Sequence, residues 1–336
     1  MKVLVTGGAG YVGSAITACL VDSGIAPVVL DDLSTGHAQR LDHVASYVGD
    51  VADAELLHRI FAEHPDICVA VHCAARKTVE ESVDQPLEYY RDNVGKALQL
   101  VDGLLAHGCD RLIFSSSAAV YGNVTTSVVS EDAPVSPQTP YAASKVMFER
   151  MLDDIARAST LRALSLRYFN PVGSDPRRRI MPYSSPPLPV LDNLVAAWER
   201  GEPFAIFGTD WDTPDGTPVR DFVHLWDVAR AHVAAVRWLV SAADGVAHRV
   251  VNVGSGHATT IRQLTELFAQ RAGRPVRVEA QRRRPGDTRG THAAIGRAAE
   301  LFDWHPRLTL ADAIDDALAW LTDPTPRRFT PDVTVP

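Results

Sequence analysis

The chain has 336 residues, 46% of them hydrophobic and 22% charged, which is enough for one large or two fused globular domains. Its 33 basic and 41 acidic residues give a net charge of −8, which argues against nucleic acid or an anionic membrane as a partner. The sequence has no signal-peptide pattern and no uninterrupted apolar span of about 18 residues, so we expect a cytoplasmic protein. No paired Cys-x-x-Cys spacing occurs, so we expect reduced thiols and no metal site at Cys19, Cys68, Cys73 and Cys109.

The chain opens on a strand, a glycine-rich turn and a helix. Residues 3–5 are apolar and predict a buried strand, and residues 11–23 have the periodicity of a helix that ends at Gly24. The turn between them reads Thr-Gly-Gly-Ala-Gly-Tyr-Val-Gly over residues 6–13. Its glycines permit a tight turn and a close approach of the backbone to a pyrophosphate at the helix N-terminus. We therefore predict a dinucleotide site that includes Gly7, Gly10, Tyr11, Val12 and Gly13.

Acidic residues follow the next two strands. The apolar run 27–30 ends at Asp31 and Asp32, and a carboxylate there would accept hydrogen bonds from the adenosine ribose and repel a 2′-phosphate. This favours NAD over NADP. A third short run ends at Gly49, Asp50 and Val51. Asp50 is either a ligand of the adenine amino group or an exposed turn residue.

Strand and helix signals alternate through the first half of the chain. Further strands are predicted at 67–71, 112–114 and 163–166, separated by helices at 54–63, 87–107 and 141–157. This alternation implies right-handed crossovers and a Rossmann-type, doubly wound parallel sheet of the α/β class, which we assign to residues 1–170.

The pattern changes after Asn170. Residues 171–190 contain six prolines and predict a loop without regular structure. Beyond it, predicted helices at 191–200, 227–240, 261–271 and 310–321 alternate with strands at 204–207, 219–222, 249–253 and 276–279. We interpret residues 171–323 as a smaller mixed α/β lobe interleaved with the first, and residues 324–336 as a flexible tail.

Tyr141 and Lys145 are four residues apart in a predicted helix and therefore share one face. A phenol has a pKa of about 10, and a nearby ammonium together with an oxidised nicotinamide would bring it toward working pH. Tyr141 could then remove a hydroxyl proton, while Lys145 holds nicotinamide ribose hydroxyls and Ser117 shares the substrate's hydrogen bond. The alternative is a tyrosine that covers a lysine stem on a solvated helix. Polar clusters at 72–77, 115–117 and 168–170 also follow predicted strands, where ligands of doubly wound sheets bind.

The chain resembles the UDP-glucose 4-epimerase branch of the extended short-chain dehydrogenase/reductases over nearly its full length. The resemblance rests on the run at 3–13 and on seven further stretches: Pro-Leu-Glu-Tyr-Tyr at 86–90, Phe-Ser-Ser-Ser at 114–117, Val-Tyr-Gly at 120–122, Arg-Tyr-Phe-Asn-Pro-Val-Gly at 167–173, Ala-Ile-Phe-Gly at 205–208, Val-Arg-Asp-Phe-Val-His at 219–224 and Arg-Arg-Pro-Gly-Asp at 283–287.

The resemblance implies a UDP-hexose 4-epimerase, an isomerase that inverts sugar C4 through a transient 4-keto sugar with tightly bound NAD. It implies catalysis by Ser117, Tyr141 and Lys145, and a homodimer built from two helices of the first lobe. Predicted NAD contacts besides the glycine run are Asp31, Asp32, Asp50, Val51, Ala74, Lys77, Asn93, Ser115, Tyr141, Lys145 and Tyr168. Predicted UDP-sugar contacts are Ser117, Tyr141, Asn170, Phe207, Arg220, Arg284, Asp287 and Thr291.

Departures from the family pattern leave the sugar open. The default pair is UDP-glucose and UDP-galactose. Thr291, at a position that often gates sugar size, is small and suits an N-acetyl group. Arg76 and the triplet 177–179 could favour a uronate carboxylate or simply form a solvated face. The segment 171–194 is shorter than in typical hexose epimerases, so its contacts are undefined.

Three other classes of protein can be compared with the residues of this chain. A sugar-nucleotide dehydratase would need an acidic pair after the serine-rich strand, where this chain has Ala118 and Ala119. A non-catalytic NAD-binding regulator would keep the glycine run without needing Tyr141 and Lys145. A reductase that releases its cofactor at each turnover shares every motif described above and stays open.

Overall fold

The computed structural model describes residues 1–42, 44–124, 126–180, 188–241, 247–284 and 286–327. Within these ranges the strands are β1 (Lys2–Thr6), β2 (Ala26–Asp31), β3 (Ala45–Val48), β4 (Ile67–His72), β5 (Arg111–Ser117), β6 (Val128–Val129), β7 (Arg162–Tyr168), β8 (Asn170–Val172), β9 (Phe204–Phe207), β10 (Val219–Arg220), β11 (Phe222–His224), β12 (His248–Val253), β13 (Thr259–Thr260), β14 (Val278–Gln281) and β15 (His292–Ala293). The α-helices are α1 (Tyr11–Asp22), α2 (Ala54–Glu63), α3 (Val79–Asp84), α4 (Pro86–Tyr90), α5 (Ala97–Ala106), α6 (Pro140–Ala158), α7 (Val190–Arg200), α8 (Leu225–Ser241), α9 (Ile261–Ala272), α10 (Gly296–Phe302) and α11 (Leu310–Thr322).

Seven parallel strands form the central sheet in the order β12-β7-β5-β4-β1-β2-β3. The chain runs outward from β1 to β3 and then returns to the other side of β1 with β4. The strand order therefore reverses between β1 and β4, which is where doubly wound sheets bind dinucleotides. The predicted fold class is confirmed.

The sheet is covered on both faces, as its alternating side chains require. Val3 and Val5 are buried in one core with residues of α1, α8 and α10, whereas Leu4 is buried in the opposite core with residues of α2, α5 and α6. Successive residues of a strand point to opposite faces, so a central strand that is apolar on both faces needs helices on both. The result is three layers with the ligand edge left open at the carboxyl ends of the strands.

Two segments that the sequence analysis assigned to the second lobe lie in the first. β12 pairs with β7 as the outer strand of the central sheet, and α8 packs against α1 on one face of that sheet. The periodicity of these segments predicted a strand and a helix correctly, but local sequence does not say which sheet a strand joins. The exact boundaries of the two lobes stay a prediction.

The second lobe is built from α7, α9, α11 and short strand pairs. β9 pairs with β14, β10 with β13 and β8 with β11, and the apolar side chains of the lobe form their own core around Phe204 and Phe268. The prediction of irregular structure from residue 171 is wrong at its start, because β8 (Asn170–Val172) pairs with β11. The predicted strand at 219–222 is two strands separated by Asp221. Residues 181–187 and 328–336, parts of the predicted loop and tail, lie outside the described residues.

The predicted helix at 87–107 is formed by α4, a π-helical segment at Arg91–Lys96 and α5 in succession. α3 and α10 were not predicted, because each is too short to show helical periodicity. Among the described helices, none is long and apolar enough to cross a membrane. All four cysteines are free thiols, as predicted.

Candidate active site

The glycine turn leaves no room for side chains. Gly7 has a φ of +72°, and a Cβ on it would lie 2.6 Å from the backbone nitrogen of Ala74, while a Cβ on Gly13 would lie 2.1 Å from the carbonyl oxygen of Gly7. α1 starts at Tyr11 without a side-chain cap on Gly10 and without an acidic residue in its first turn. Its first N–H groups therefore have no acceptor on a capping side chain, and a bound anion would satisfy them. This cradle fits the pyrophosphate of NAD.

Tyr11 belongs to the predicted cofactor set, but its hydroxyl donates a hydrogen bond to the carbonyl oxygen of Gly173 at 2.6 Å. Burial raises the pKa of this phenol well above its ordinary value. The side chain therefore fastens the first helix to the start of the second lobe. Val12, the next residue, is half-buried against the core that contains α1.

Asp31 and Asp32 differ in environment. The buried carboxylate of Asp31 accepts hydrogen bonds at 2.8 Å from the backbone N–H groups of Ala9 and Leu33. Burial raises the pKa of Asp31, and these two hydrogen bonds oppose the rise. Asp31 thus fixes the glycine turn relative to the end of β2. Asp32 is exposed and accepts hydrogen bonds from the N–H and the hydroxyl of Ser34.

Asp50 follows β3 and already has partners. One of its carboxylate oxygens lies 2.7 Å from Nζ of Lys96, and the other accepts a hydrogen bond from the N–H of Ala52 at 2.9 Å. The structure thus shows a partly exposed, ion-paired turn residue. Val51 beside it packs in part against the core that contains α2.

The π-helical segment places Asn93 between two elements of the site. Its Oδ1 accepts a hydrogen bond from the N–H of Arg76, and its Nδ2 donates to the carbonyl oxygen of Arg76 at 2.9 Å and to the hydroxyl of Ser144 at 3.1 Å. Both amide donors are therefore used within the protein. Asn93 links the segment after β4 to α6, and its Oδ1 alone keeps a lone pair for a ligand.

The strand register brings the predicted polar residues to one edge. Ser117 at the end of β5 lies opposite Tyr168 at the end of β7, and His72 at the end of β4 lies opposite Thr6. Tyr168 is half-buried and forms a side-chain hydrogen bond with Ser115. These side chains lie close together because parallel strands end at the same edge of a sheet.

α6 delivers Tyr141 and Lys145 to this edge. Thr139 caps the helix, its hydroxyl accepting a hydrogen bond from the N–H of Ala142, so Tyr141 lies in the first turn and Lys145 one turn later. The ammonium of Lys145 donates a hydrogen bond to the carbonyl oxygen of Ser115 at 2.9 Å and lies 5.7 Å from the centroid of the Tyr141 ring. Burial lowers the pKa of Lys145 to about 8.

The phenol of Tyr141 is subject to two opposed effects. Burial raises its pKa, and a side-chain hydrogen bond with Ser117 lowers it, with the net shift upward. The protein alone therefore keeps Tyr141 protonated. A phenolate at working pH needs additional positive charge at this edge, which an oxidised nicotinamide would supply.

Two contacts beneath the edge were not predicted, although His72 belongs to the predicted polar cluster at 72–77. His72 Nδ1 lies 2.7 Å from the hydroxyl of Thr6, and burial lowers the pKa of His72 to about 3, so the ring stays neutral. Glu149, one turn after Lys145, is buried with Arg167 of β7, and the hydroxyl of Ser116 donates to the same carboxylate. The spacing of residues 141, 145 and 149 was the signal that could have placed Glu149 on the same helix face.

Residues after β4 lie beside the glycine turn. Ala74 contacts Gly7, as described above. Burial raises the pKa of Asp192, in the first turn of α7, to about 7, and the charge of the exposed Lys77 opposes the rise. Asp192 was not among the predicted site residues and lies in the segment where the chain departs from the family pattern.

The predicted substrate residues of the second lobe form a charged cluster. The guanidinium of Arg284 lies 3.6 Å from the centroid of the Phe207 ring, and Arg220 lies 3.5 Å from a carboxylate oxygen of Asp287. The carboxamide of Asn170 donates a hydrogen bond to the carbonyl oxygen of Asp221 at 3.1 Å. These residues come from β8, β9, β10 and the loop after β14, so the fold assembles them from four separate segments.

Asp221 separates β10 from β11 and connects the two lobes. Its fully buried carboxylate accepts hydrogen bonds from the N–H and hydroxyl of Ser255 and from the N–H groups of Gly256 and Ala293. Ser255 follows β12 of the central sheet. The position of Arg220 is therefore tied to the sheet through its neighbour.

Thr291 and the arginines considered for sugar specificity form contacts within the protein. The hydroxyl of Thr291 donates a hydrogen bond to the carbonyl oxygen of Ser127 at 2.6 Å. Within the arginine triplet at 177–179, Arg179 is buried in ion pairs with Asp22 and Asp175, whereas Arg177 is exposed and contacts Asp22. Arg178 pairs with Asp323. Arg76 lies 2.6 Å from Asp92 and 3.3 Å from Glu81.

The reversed strand order and the glycine turn define a dinucleotide-binding α/β protein. A UDP-glucose 4-epimerase of Azospirillum brasilense is 40% identical over 326 residues, which cover 95% of this chain and 91% of the relative. The crystal structure of a UDP-glucose-4-epimerase from Stenotrophomonas maltophila with bound NAD and formylated UDP-arabinopyranose has a TM-score of 0.90 at 33% identity, covering 96% of this chain and 98% of that one. The UDP-glucose 4-epimerase from Bifidobacterium longum in complex with NAD⁺ and UDP has a TM-score of 0.87 at 32% identity, covering 96% and 99%.

The chain belongs to the NAD dependent epimerase/dehydratase family, which matches residues 3–254. The predicted family and the prediction of an NAD-dependent enzyme are confirmed.

Proposed function

We propose that this protein is a UDP-hexose 4-epimerase that interconverts UDP-glucose and UDP-galactose with tightly bound NAD. The observation that carries the proposal is the placement of Tyr141 and Lys145 on one face of α6, with the Lys145 ammonium 2.9 Å from the carbonyl oxygen of Ser115 at the carboxyl end of β5. A tyrosine and an anchored lysine at this edge are what removal of a sugar hydroxyl proton beside a nicotinamide requires. The curated relatives and the similar crystal structures described above support the same activity.

In the proposed reaction, Tyr141 takes the proton of the sugar 4-hydroxyl. Ser117, which hydrogen-bonds to Tyr141, shares that hydroxyl and orients it. The Lys145 ammonium stabilises the phenolate and would hold ribose hydroxyls of the nicotinamide. NAD, when bound, would supply the hydride acceptor for C4, and return of the same hydride to the opposite face of the sugar would leave no net oxidation. The cradle of glycines and the N-terminus of α1 would hold the pyrophosphate.

Inversion requires the sugar ring to turn over while the nucleotide stays bound. Arg220 and Arg284 suit this need, because guanidinium groups bind phosphate oxygens through paired hydrogen bonds. Phe207, Asn170 and Asp287 surround them and are the proposed contacts to the uridine. The predicted NAD contacts of Asp31, Asp32, Asp50, Val51, Ala74, Lys77, Asn93, Ser115 and Tyr168 belong to the same proposal.

One observation favours a second substrate, UDP-N-acetylglucosamine. The Thr291 side chain is small, and its hydroxyl donates a hydrogen bond to the carbonyl oxygen of Ser127 at 2.6 Å. A side chain of this size would leave room for an N-acetyl group on the sugar. UDP-glucuronate has no such support, since the triplet at 177–179 and Arg76 have carboxylate partners of their own.

The homodimer is also a proposal. Leu98 of α5 and Met147 of α6 are 40% and 46% exposed, and Val83 and Leu87, in the helices α3 and α4 that pack against α6, are 51% and 74% exposed. A second copy of the chain would cover these apolar side chains and form a bundle with α5 and α6. We also propose a cytoplasmic location, whose reducing conditions would preserve the four free thiols.

The decisive experiment incubates the purified protein with UDP-glucose, UDP-galactose, UDP-N-acetylglucosamine and UDP-glucuronate separately and follows C4 inversion by proton NMR. We expect UDP-glucose and UDP-galactose to convert into each other without added cofactor, and UDP-N-acetylglucosamine to be inverted more slowly. A preparation that carries NAD and inverts neither hexose would disprove the proposed function. Bound NAD that is reduced stoichiometrically while the sugar stays oxidised would instead indicate a dehydrogenase/reductase that must exchange its cofactor at each turnover.

A further inference from the structure

An ion pair joins the two lobes across the cleft. Nη1 of Arg284, in the second lobe, lies 3.0 Å from Oε1 of Glu80 in the first turn of α3. The two residues are 204 positions apart in the sequence, so the contact exists only through the fold. Glu80 was not among the predicted site residues, and α3 itself was not predicted.

One face of the Arg284 guanidinium is covered by an aromatic ring. It lies 3.6 Å from the centroid of the Phe207 ring, which leaves the edge of the guanidinium as its hydrogen-bonding surface. Glu80 occupies part of that edge. The side chains of Glu80 and Arg284 are 54% and 44% exposed, so their ion pair is partly solvated and open to exchange of partners.

The charge of Glu80 also acts on the cluster formed by Arg220, Arg284 and Asp287. Burial raises the pKa of Asp287, the charges of Arg220 and Arg284 lower it, and the charge of Glu80 raises it. The cluster thus consists of two cations and two carboxylates without any ligand. A diphosphate that enters it adds negative charge, and of the two carboxylates Glu80 is the more exposed and comes from the other lobe.

We propose that Glu80 is an internal counter-ion of Arg284 that competes with the diphosphate of the UDP-sugar and thereby sets the affinity of the enzyme for the nucleotide. The inference rests on the proposed role of Arg284 in gripping the diphosphate. A diphosphate offers several acceptor oxygens and can bind the guanidinium bidentately, whereas within the described residues Glu80 reaches Arg284 through one hydrogen bond, between Oε1 and Nη1. Substrate binding therefore replaces the weaker ion pair with the stronger one, and the broken pair reduces the net affinity.

The test measures UDP binding to the NAD-loaded enzyme by isothermal titration calorimetry at low salt. Glu80→Gln should lower the Kd for UDP by about two- to fivefold, which is the range that a partly exposed ion pair can contribute. The KM for the UDP-sugar should fall with it while kcat stays unchanged. In high salt the difference between the variant and the wild type should shrink, since charge interactions are then screened.

The matched control is Glu88→Gln. Glu88 is a glutamate of α4 in the same lobe that pairs with Arg91 at 2.7 Å rather than with Arg284, and its loss should leave the Kd unchanged. In the background of Arg284→Gln, the additional Glu80→Gln change should give no gain in affinity if the effect passes through Arg284.

The outcomes separate the two proposals. If Arg284→Gln weakens UDP binding but Glu80→Gln leaves it unchanged or weakens it, the counter-ion proposal is wrong and the proposed function stands. If Arg284→Gln has no effect on UDP binding, Arg284 does not grip the diphosphate, and the substrate assignment itself fails.

Discussion

The ammonium of Lys145 and the carbonyl oxygen of Ser115 are joined by a buried hydrogen bond of 2.9 Å. This contact ties α6 to the end of β5 and holds the Lys145 ammonium 5.7 Å from the centroid of the Tyr141 ring. It also places a charge where water is excluded, which lowers the pKa of Lys145 to about 8. The lysine therefore makes the fold sensitive to pH.

The stability of the protein should depend on pH through Lys145. Below pH 8 both the folded and the unfolded chain carry the ammonium, and the full cost of burying it is present. Between the folded pKa of about 8 and the ordinary value of 10.5 the unfolded chain binds more protons, so stability rises with pH. The difference in free energy of unfolding, wild type minus Lys145→Met, should therefore increase from about pH 7 to about pH 9.5, measured by urea unfolding. A difference that stays constant or decreases over this range would show that the pKa of Lys145 is not lowered in the folded protein.

Removing the hydroxyl of Tyr141 should abolish most of the turnover. We expect Tyr141→Phe to fold, to retain NAD and to lose about 10²- to 10⁴-fold in kcat, the range for loss of a general acid–base. Tyr47→Phe is the control, because the Tyr47 hydroxyl contacts Glu63 and His64 outside the site. Full activity in the Tyr141 variant, measured by NMR of the inverted sugar, would show that another group takes the proton.

Asp31 should matter more for cofactor retention than Asp32. Asp31→Ala leaves the N–H groups of Ala9 and Leu33 without their acceptor, at a cost of about 1–3 kcal/mol for each buried group. The glycine turn should loosen, and the purified variant should contain less NAD by absorbance after denaturation. Asp32→Ala loses only exposed hydrogen bonds within its own turn and should retain NAD nearly as the wild type does. Equal NAD content in the two variants would show that Asp31 is no more important than Asp32 for holding the cofactor.

The pair of Glu149 and Arg167 should be important for stability. Both side chains are buried, at 7% and 6% exposure, so Glu149→Ala leaves a buried cation without its carboxylate and should cost about 3–5 kcal/mol. On the same helix, Asp154→Asn removes an exposed partner of Arg150 and should cost under about 1 kcal/mol. Thermal unfolding followed by circular dichroism distinguishes the two. A small effect of Glu149→Ala would mean that Arg167 reaches water in the variant.

The dimer should depend on the exposed apolar residues of α5 and α6. We expect the wild type to have twice the monomer mass by light scattering and the double variant Leu98→Glu, Met147→Glu to be a folded monomer. Val278→Glu is a suitable control, because Val278 is 44% exposed on β14 in the other lobe. A wild type that is monomeric at all concentrations tested would disprove the proposed homodimer.

What could be predicted from the sequence was local. The glycine turn, the helix that carries Tyr141 and Lys145, and the alternation of strands and helices follow from spacing within a few residues. The contact between Glu149 and Arg167 could not be predicted, because it needs the packing of α6 on β7. For the same reason local spacing did not show that β12 joins the central sheet, and the role of Asp221, whose four hydrogen bonds come from residues distant in the chain, was not predicted.

The return of the chain from the second lobe to β12 and α8 constrains how this protein can be divided or recombined. A fragment that stops at residue 170 would lose the outermost strand of the sheet and expose the hydrogen-bonding edge of β7 along with the apolar face that α8 covers. The first lobe therefore cannot complete its sheet from residues 1–170 alone. A chimera that exchanges the nucleotide-sugar lobe with that of a relative therefore needs more than one junction, so that residues 225–253 stay with their own sheet.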